Sequence, residues 1–144
     1  MADDTTARTL AWNDIRRDCR ALAARLAGRP RFHGIFAVAR GGLVPAALLA
    51  RDLDIRLVDT VCIASYDDRR RGGVEVLKAP TGDGGGWLVV DDLVDSGTTA
   101  RAVRALLPAA HYATLYAKPE GRPWVDDFVT AVDQSVWLVF PWET

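Results

Sequence analysis

The segment Val89 to Thr99, VVDDLVDSGTT, sets three carboxylates and three hydroxyls around one glycine. Asp95 to Thr99 lies between an apolar run and helix-forming residues. Backbone N–H groups at a helix N-terminus, with further donors from Ser96, Thr98 and Thr99, form an anion site suited to a monophosphate. The segment lacks the lysine of a GxxxxGK[ST] triphosphate loop, and Leu93 breaks the Asp-x-Asp spacing of an aspartyl-phosphate phosphatase. Taken as a fragment, DSGTT suits a plain helix cap equally well. Just upstream, Asp91 and Asp92 are acceptors for the hydroxyls of a cis-diol and hard oxygen ligands for Mg²⁺. The competing reading is a solvated acidic turn, less natural directly after an apolar strand. Successive strand side chains point to opposite faces, so the two acids share a site only if the strand ends beside them. The stretch therefore reads as a strand edge.

The elements that must carry these residues follow from periodicity. After an irregular start, Trp12, Ile15, Cys19, Leu22 and Leu26 recur at helical spacing, with Asn13 or Asp14 as N-cap and Gly28 as a stop. FHGIFAV (Phe32 to Val38) reads as a strand, Ala39-Arg40-Gly41-Gly42 as a loop and LVPAALLA as a helix. IRLVDTVCIAS (Ile55 to Ser65) and VEVL (Val74 to Leu77) read as a long hairpin around YDDRRRGG. TGDGGG is a turn, WLVVD a strand, and Thr99 to Leu107 a helix stopped by Pro108. HYATLYA, FVTAV and VWLVF (His111 to Ala117, Phe128 to Val132, Val136 to Phe140) complete the strands. Apolar strands alternating with helices predict an α/β fold, a central mainly parallel sheet flanked by helices, with ligands at the carboxyl ends of the strands. Both special loops, 39–42 and 92–99, fall at such ends.

At 144 residues the chain is expected to form a single domain, 1–144. No apolar run approaches a membrane span, and MADDTTARTL has no secretory pattern, so a cytoplasmic location is expected. A formal net charge of −1 gives no electrostatic case for nucleic acid. Cys19 and Cys62 stand in no metal-ligand or disulfide spacing and read as two buried, reduced thiols. His33 and His111 read as structural.

Two acids, two apolar residues and Asp-Ser-Gly-Thr-Thr resemble the phosphoribosyl pyrophosphate (PRPP) signature of the type I phosphoribosyltransferases. VARGGLVPAALLAR, DTVCIASYD, VLKAPTGDG, YAKPEGRPWVDD and VWLVFPW extend that resemblance from about Trp12 to Trp142 and place it in the 6-oxopurine branch. The resemblance implies a type I phosphoribosyltransferase fold with a mobile lid loop and a small base-binding hood. It implies purine salvage: guanine and xanthine, hypoxanthine less well, react with PRPP to give the nucleoside 5′-monophosphate and pyrophosphate, with Mg²⁺ as cofactor. The family commonly forms homodimers or homotetramers.

Carried onto this chain, the family pattern gives the ribose hydroxyls to Asp91 and Asp92, with Asp92 also at the Mg²⁺ site. The 5′-phosphate goes to Asp95, Ser96, Gly97, Thr98 and Thr99. Asp95 also faces the purine N7 as the catalytic carboxylate. Arg40 and Gly41 form the pyrophosphate loop, a fixed cationic fork beside a close backbone approach. The family often holds that loop with a non-proline cis peptide, expected here at Ala39-Arg40. SYDDRRRGG resembles the lid, with Arg71 nearest the substrate; relatives carry an arginine where this chain has Gly72. Lys118 would donate to the purine O6, Trp137 would stack on the base and the Leu138 backbone would face C2. As a departure, Thr98 stands where the family has its second glycine. Two alternatives remain at this stage: a non-catalytic regulator of the same fold that senses PRPP or a nucleotide, and a phosphoribosyltransferase for another base.

Overall fold

A computed structural model describes residues 6–65 and 73–144 of the chain. In chain order the elements are β1 (Thr6–Thr9), α1 (Trp12–Leu26), β2 (Gly34–Ala39), α2 (Leu43–Asp52), β3 (Val58–Ser65), β4 (Val74–Lys78), β5 (Trp87–Val94), α3 (Thr98–Leu106), β6 (His111–Ala117), β7 (Asp127–Ala131) and β8 (Val136–Val139). Six strands form one sheet in the order β4-β3-β2-β5-β6-β7, and β1 and β8 form a separate two-stranded parallel sheet. Within the large sheet all pairs are parallel except β3–β4.

The apolar strands are continuous because both of their faces are covered. Ile35 and Ala37 of β2, Leu88 and Val90 of β5, and Ala113 and Leu115 of β6 pack with Ile15, Cys19, Leu22 and Leu49 of the first two helices. Phe36, Val38, Val89 and Tyr112 point the other way, onto Ala100 and Val103 of α3. Each fully buried Val, Leu or Ile in these layers contributes roughly 1.5–3 kcal/mol. The two layers fix the central strands tightly enough for their ends to carry a site.

Four expectations change. The N-cap of α1 is Ala11, and Asp14 acts from the first turn, its Oδ2 accepting the Ala11 N–H at 2.8 Å. The stretch before Trp12, expected to be irregular, contains β1, whose four residues are all exposed and so carry no apolar alternation. Backbone pairing to β8 holds it. Cys62 is half-buried, unlike Cys19. Finally, β5 does not stop at its acids; it runs on to Val94.

Candidate active site

β5 keeps its β6 partner as far as Val94, but its pairing with β2 ends at Val90. β2 itself runs on to Ala39, still paired with β3, and then gives way to the loop that opens with the cis Ala39–Arg40 peptide, found where the family resemblance implied it. Asp91 and Asp92 therefore remain in a strand, on opposite faces, along a stretch whose β2-side edge is open. Both acids still line the same space. That is how a strand, rather than a turn, presents two consecutive carboxylates to one site.

Two cavities meet at this pair. One, of about 500 Å³, is lined by the Asp95–Thr99 loop, Lys118, Trp137 and Leu138 together with both acids. The other, of about 610 Å³, is lined by Ala39, Arg40, Gly41 and Cys62, again with both acids. The PRPP- and base-binding residues read from the sequence are thus gathered around one centre, except Arg71, which lies outside the described residues. Ser65 and Gly73 line the first cavity.

Each loop depends on a glycine. At Gly41 a Cβ would come within 2.6 Å of Asp92 Oδ2, so any side chain there would press on the acid pair. Gly97 is the N-cap of α3 with φ +93°, a left-handed conformation that L side chains rarely adopt. A Cβ at Gly97 would also lie 2.6 Å from Trp124 Cδ1. The turn brings Gly97, Thr98, Thr99 and Ala100, at the start of α3, to the wall of the first cavity, and the N–H groups of a helix start are what an anion site requires. The Ser96 and Thr98 hydroxyls hydrogen-bond each other at 3.0 Å. Thr98 therefore fits as a third hydroxyl of the loop.

The electrostatics of the acid pair are unusual. Burial pushes the Asp91 carboxyl well above the usual carboxylate range, and the Asp92 charge adds to the shift. Burial pushes Asp92 up as well, and Glu143 contributes in the same direction. Among the described residues neither acid has an ion-pair partner, so a bound cation or the hydroxyls of a diol would relieve an existing cost.

The base-side residues are arranged differently. Lys118 is 3% exposed, and its Nζ lies 3.2 Å from Asp95 Oδ2. Trp137 is 59% exposed, which excludes a core role and leaves its ring as a platform on the cavity wall. Its neighbour Leu138 is buried. Pairing of Ala7 with Trp137 and Arg8 with Leu138 shows that β1 holds this hood in place.

Sequence reasoning missed Gln134, whose Nε2 donates to Asp95 Oδ1 at 2.8 Å. It also missed Tyr112, Phe140 and Glu143 as lining residues. Gln134 sits in a short polar link between β7 and β8 that looks like any turn, so its only signal was spatial.

A doubly covered, mainly parallel sheet bearing a glycine-turned strand-to-helix loop, an acid pair and a facing Arg-Gly-Gly loop is the type I phosphoribosyltransferase architecture. The chain belongs to the phosphoribosyltransferase family, since the model of the phosphoribosyl transferase domain matches residues 8–144. It is 58% identical over 135 residues to a xanthine-guanine phosphoribosyltransferase of Chromohalobacter salexigens, covering 94% of this chain and 83% of that protein. Among solved structures it is similar to a purine phosphoribosyltransferase of Pyrococcus horikoshii, with a TM-score of 0.81 and 29% identity over 96% of this chain and 95% of that one. It is also similar to a xanthine-guanine-hypoxanthine phosphoribosyltransferase of Helicobacter pylori, with a TM-score of 0.79 and 25% identity over 95% and 94% of the two chains.

Proposed function

We propose that the protein transfers the 5-phosphoribosyl group of PRPP to N9 of guanine or xanthine, and less well of hypoxanthine, releasing pyrophosphate. The observation that carries this reading is the pairing of Lys118 with Asp95 beside an exposed Trp137 ring. A buried ammonium next to a carboxylate, donor beside acceptor, matches the O6 acceptor and N7–H donor along one edge of a 6-oxopurine. Adenine presents a 6-amino donor to that ammonium and is opposed. Trp137 stacks on the base, worth roughly 1–3 kcal/mol. A carbonyl of the Leu138 backbone accepts from the 2-amino group of guanine, which hypoxanthine lacks, and tolerates xanthine.

The remaining roles follow the two cavities. Asp95, Ser96, Gly97, Thr98 and Thr99 cradle the 5′-phosphate in the first, and Arg40 and Gly41 hold the departing pyrophosphate in the second. Asp91 and Asp92, where the cavities join, accept the ribose hydroxyls. This chain's residues act by positioning and by matching charge that develops on the leaving group and the ribose ring. Asp95 takes or shares the N7 proton as N9 attacks.

Asp92 fits Mg²⁺ by its chemistry: a half-buried carboxylate, its charge disfavoured by burial, facing both cavities. Mg²⁺ usually keeps several waters and takes only one or two carboxylates, so an ion here would be held by Asp92, water and substrate oxygens. Mg²⁺ would neutralise charge on the pyrophosphate. Among the described residues no helix is long and apolar enough to cross a membrane. Cytoplasmic location and assembly as a homodimer or homotetramer belong to the same proposal, and the exposed Leu57, Val58, Val76 and Leu77 offer apolar surface for such assembly.

The test is steady-state turnover with PRPP and Mg²⁺, offering guanine, xanthine, hypoxanthine, adenine and orotate in parallel. Highest turnover with guanine or xanthine supports the assignment. Turnover with adenine or orotate instead reassigns the base, and PRPP binding without any turnover makes the protein a regulator.

A further inference from the structure

We infer that Gln134 is the positioning residue for the Asp95 carboxylate, holding it for the purine while Lys118 also engages the base. This rests on the proposed base site. Asp95 has two oxygens and each is engaged: Oδ2 by Lys118 Nζ at 3.2 Å and Oδ1 by Gln134 Nε2 at 2.8 Å. The two contacts have different fates when a 6-oxopurine binds. Lys118 must also donate to O6, so its three N–H donors are shared between the base and the carboxylate, while Oδ2 must also meet the N7–H. Gln134 has no such competing target and keeps Oδ1.

Gln134 is itself braced. Its Oε1 accepts the Glu120 backbone N–H at 3.0 Å, so the whole carboxamide is fixed, donor and acceptor together. Glu120 lies two residues beyond Lys118, in the loop that also turns through the Gly121 N–H to Lys118 carbonyl bond at 3.0 Å. One side chain from the β7–β8 link thereby ties the end of β5, which bears Asp95, to the loop after β6, which bears Lys118. Without that tie the carboxylate is half-exposed and held by Lys118 alone, and sharing that ammonium with a base would leave it freer to rotate. A carboxylate that must meet a ring proton at hydrogen-bond distance loses effectiveness when its torsion is unset.

The test separates this role from simple bracing of the hood. Gln134→Met removes both contacts at similar length; Gln134→Glu keeps an acceptor for the Glu120 N–H and replaces the donor with a second carboxylate facing Asp95. The expected result is that both variants lose about tenfold to a hundredfold in kcat/KM for guanine, the range of a hydrogen bond to a charged group. Gln134→Glu should be at least as impaired as Gln134→Met, both should bind PRPP as the wild type does, and both should unfold near the wild-type temperature. Wild-type kinetics in Gln134→Glu with a defect only in Gln134→Met would overturn the inference in favour of bracing. Equal losses in base and PRPP handling would overturn it in favour of general disruption, as would wild-type kinetics in both variants. Absence of phosphoribosyl transfer in the unmodified protein is a separate outcome, which rejects the proposed reaction itself.

Discussion

The two ends of the central sheet carry acidic clusters of opposite design. At the amino ends of β6 and β7, Asp126 pairs with Arg104 at 2.7 Å, while Asp127 meets His111 at 2.6 Å and Arg29 at 3.2 Å. Burial raises Asp126, but hydrogen bonds from the Tyr112 N–H and from Arg104 outweigh it and leave the carboxyl below its usual range. At the carboxyl end, buried Asp91 and half-buried Asp92 lie side by side with no ion pair among the described residues, and both are shifted upward. One cluster is satisfied by the protein. The other awaits charge from outside, the pattern of perturbed groups gathered in a cleft that marks a functional site.

Asp95→Asn should break the functional end most severely. Steady-state assays should show turnover falling about 10²- to 10⁴-fold, the usual worth of a positioned proton acceptor, while PRPP affinity changes little. Equal losses in both would remove Asp95 from the chemistry. Lys118→Ala should raise the KM for guanine about 10- to 100-fold and spare PRPP binding, the cost of losing a charged hydrogen bond to O6; titration calorimetry with each substrate separates the two.

At the satisfied end, Arg104→Met should act on stability alone. Arg104 donates to the Trp124 carbonyl at 3.0 Å, the Ala110 carbonyl at 2.9 Å and Asp126 at 2.7 Å. Losing these should cost about 2–3 kcal/mol in denaturant unfolding, with kcat/KM of the folded fraction unchanged. A collapse of catalysis would join the two clusters functionally.

Asp92→Asn sharpens the contrast by moving stability the other way. A carboxyl raised in the folded state favours folding most when protonated, so its contribution falls as pH rises through the ordinary carboxylate range to the raised folded value. Above that window the charged Asp92 is a net cost. Replacing it should stabilise the substrate-free protein by on the order of 1 kcal/mol at neutral pH, with the gain disappearing in acid. The same variant should lose activity. A destabilised Asp92→Asn protein at neutral pH would show that the pair is structurally satisfied after all.

Much of this division was legible in the residues. Alternating apolar strands and helices carry the sheet because period and composition are local properties, and VVDDLVDSGTT marked a cavity wall rich in donors and acceptors because those groups are contiguous. Arg40-Gly41 and its cis peptide were likewise found where expected. Less legible were β1, whose exposed residues show no alternation, and Gln134, whose importance depends on Asp95 lying far away in the chain. The continuation of β5 through its acids escaped notice because strand termination was inferred from side-chain direction. What actually ends is the pairing with β2, which itself runs on to Ala39.

By itself, then, the sequence determined the α/β class, the loop that leads from β5 into α3 and the identity of the groups available for chemistry, because each rests on residues close together in the chain. The tertiary structure decided which of those groups meet. It buried Lys118 against Asp95, left the Trp137 ring exposed, and opened one side of β5 so that two opposite-facing carboxylates share a site. Burial and long-range pairing set those outcomes, and both depend on how distant segments pack rather than on local pattern.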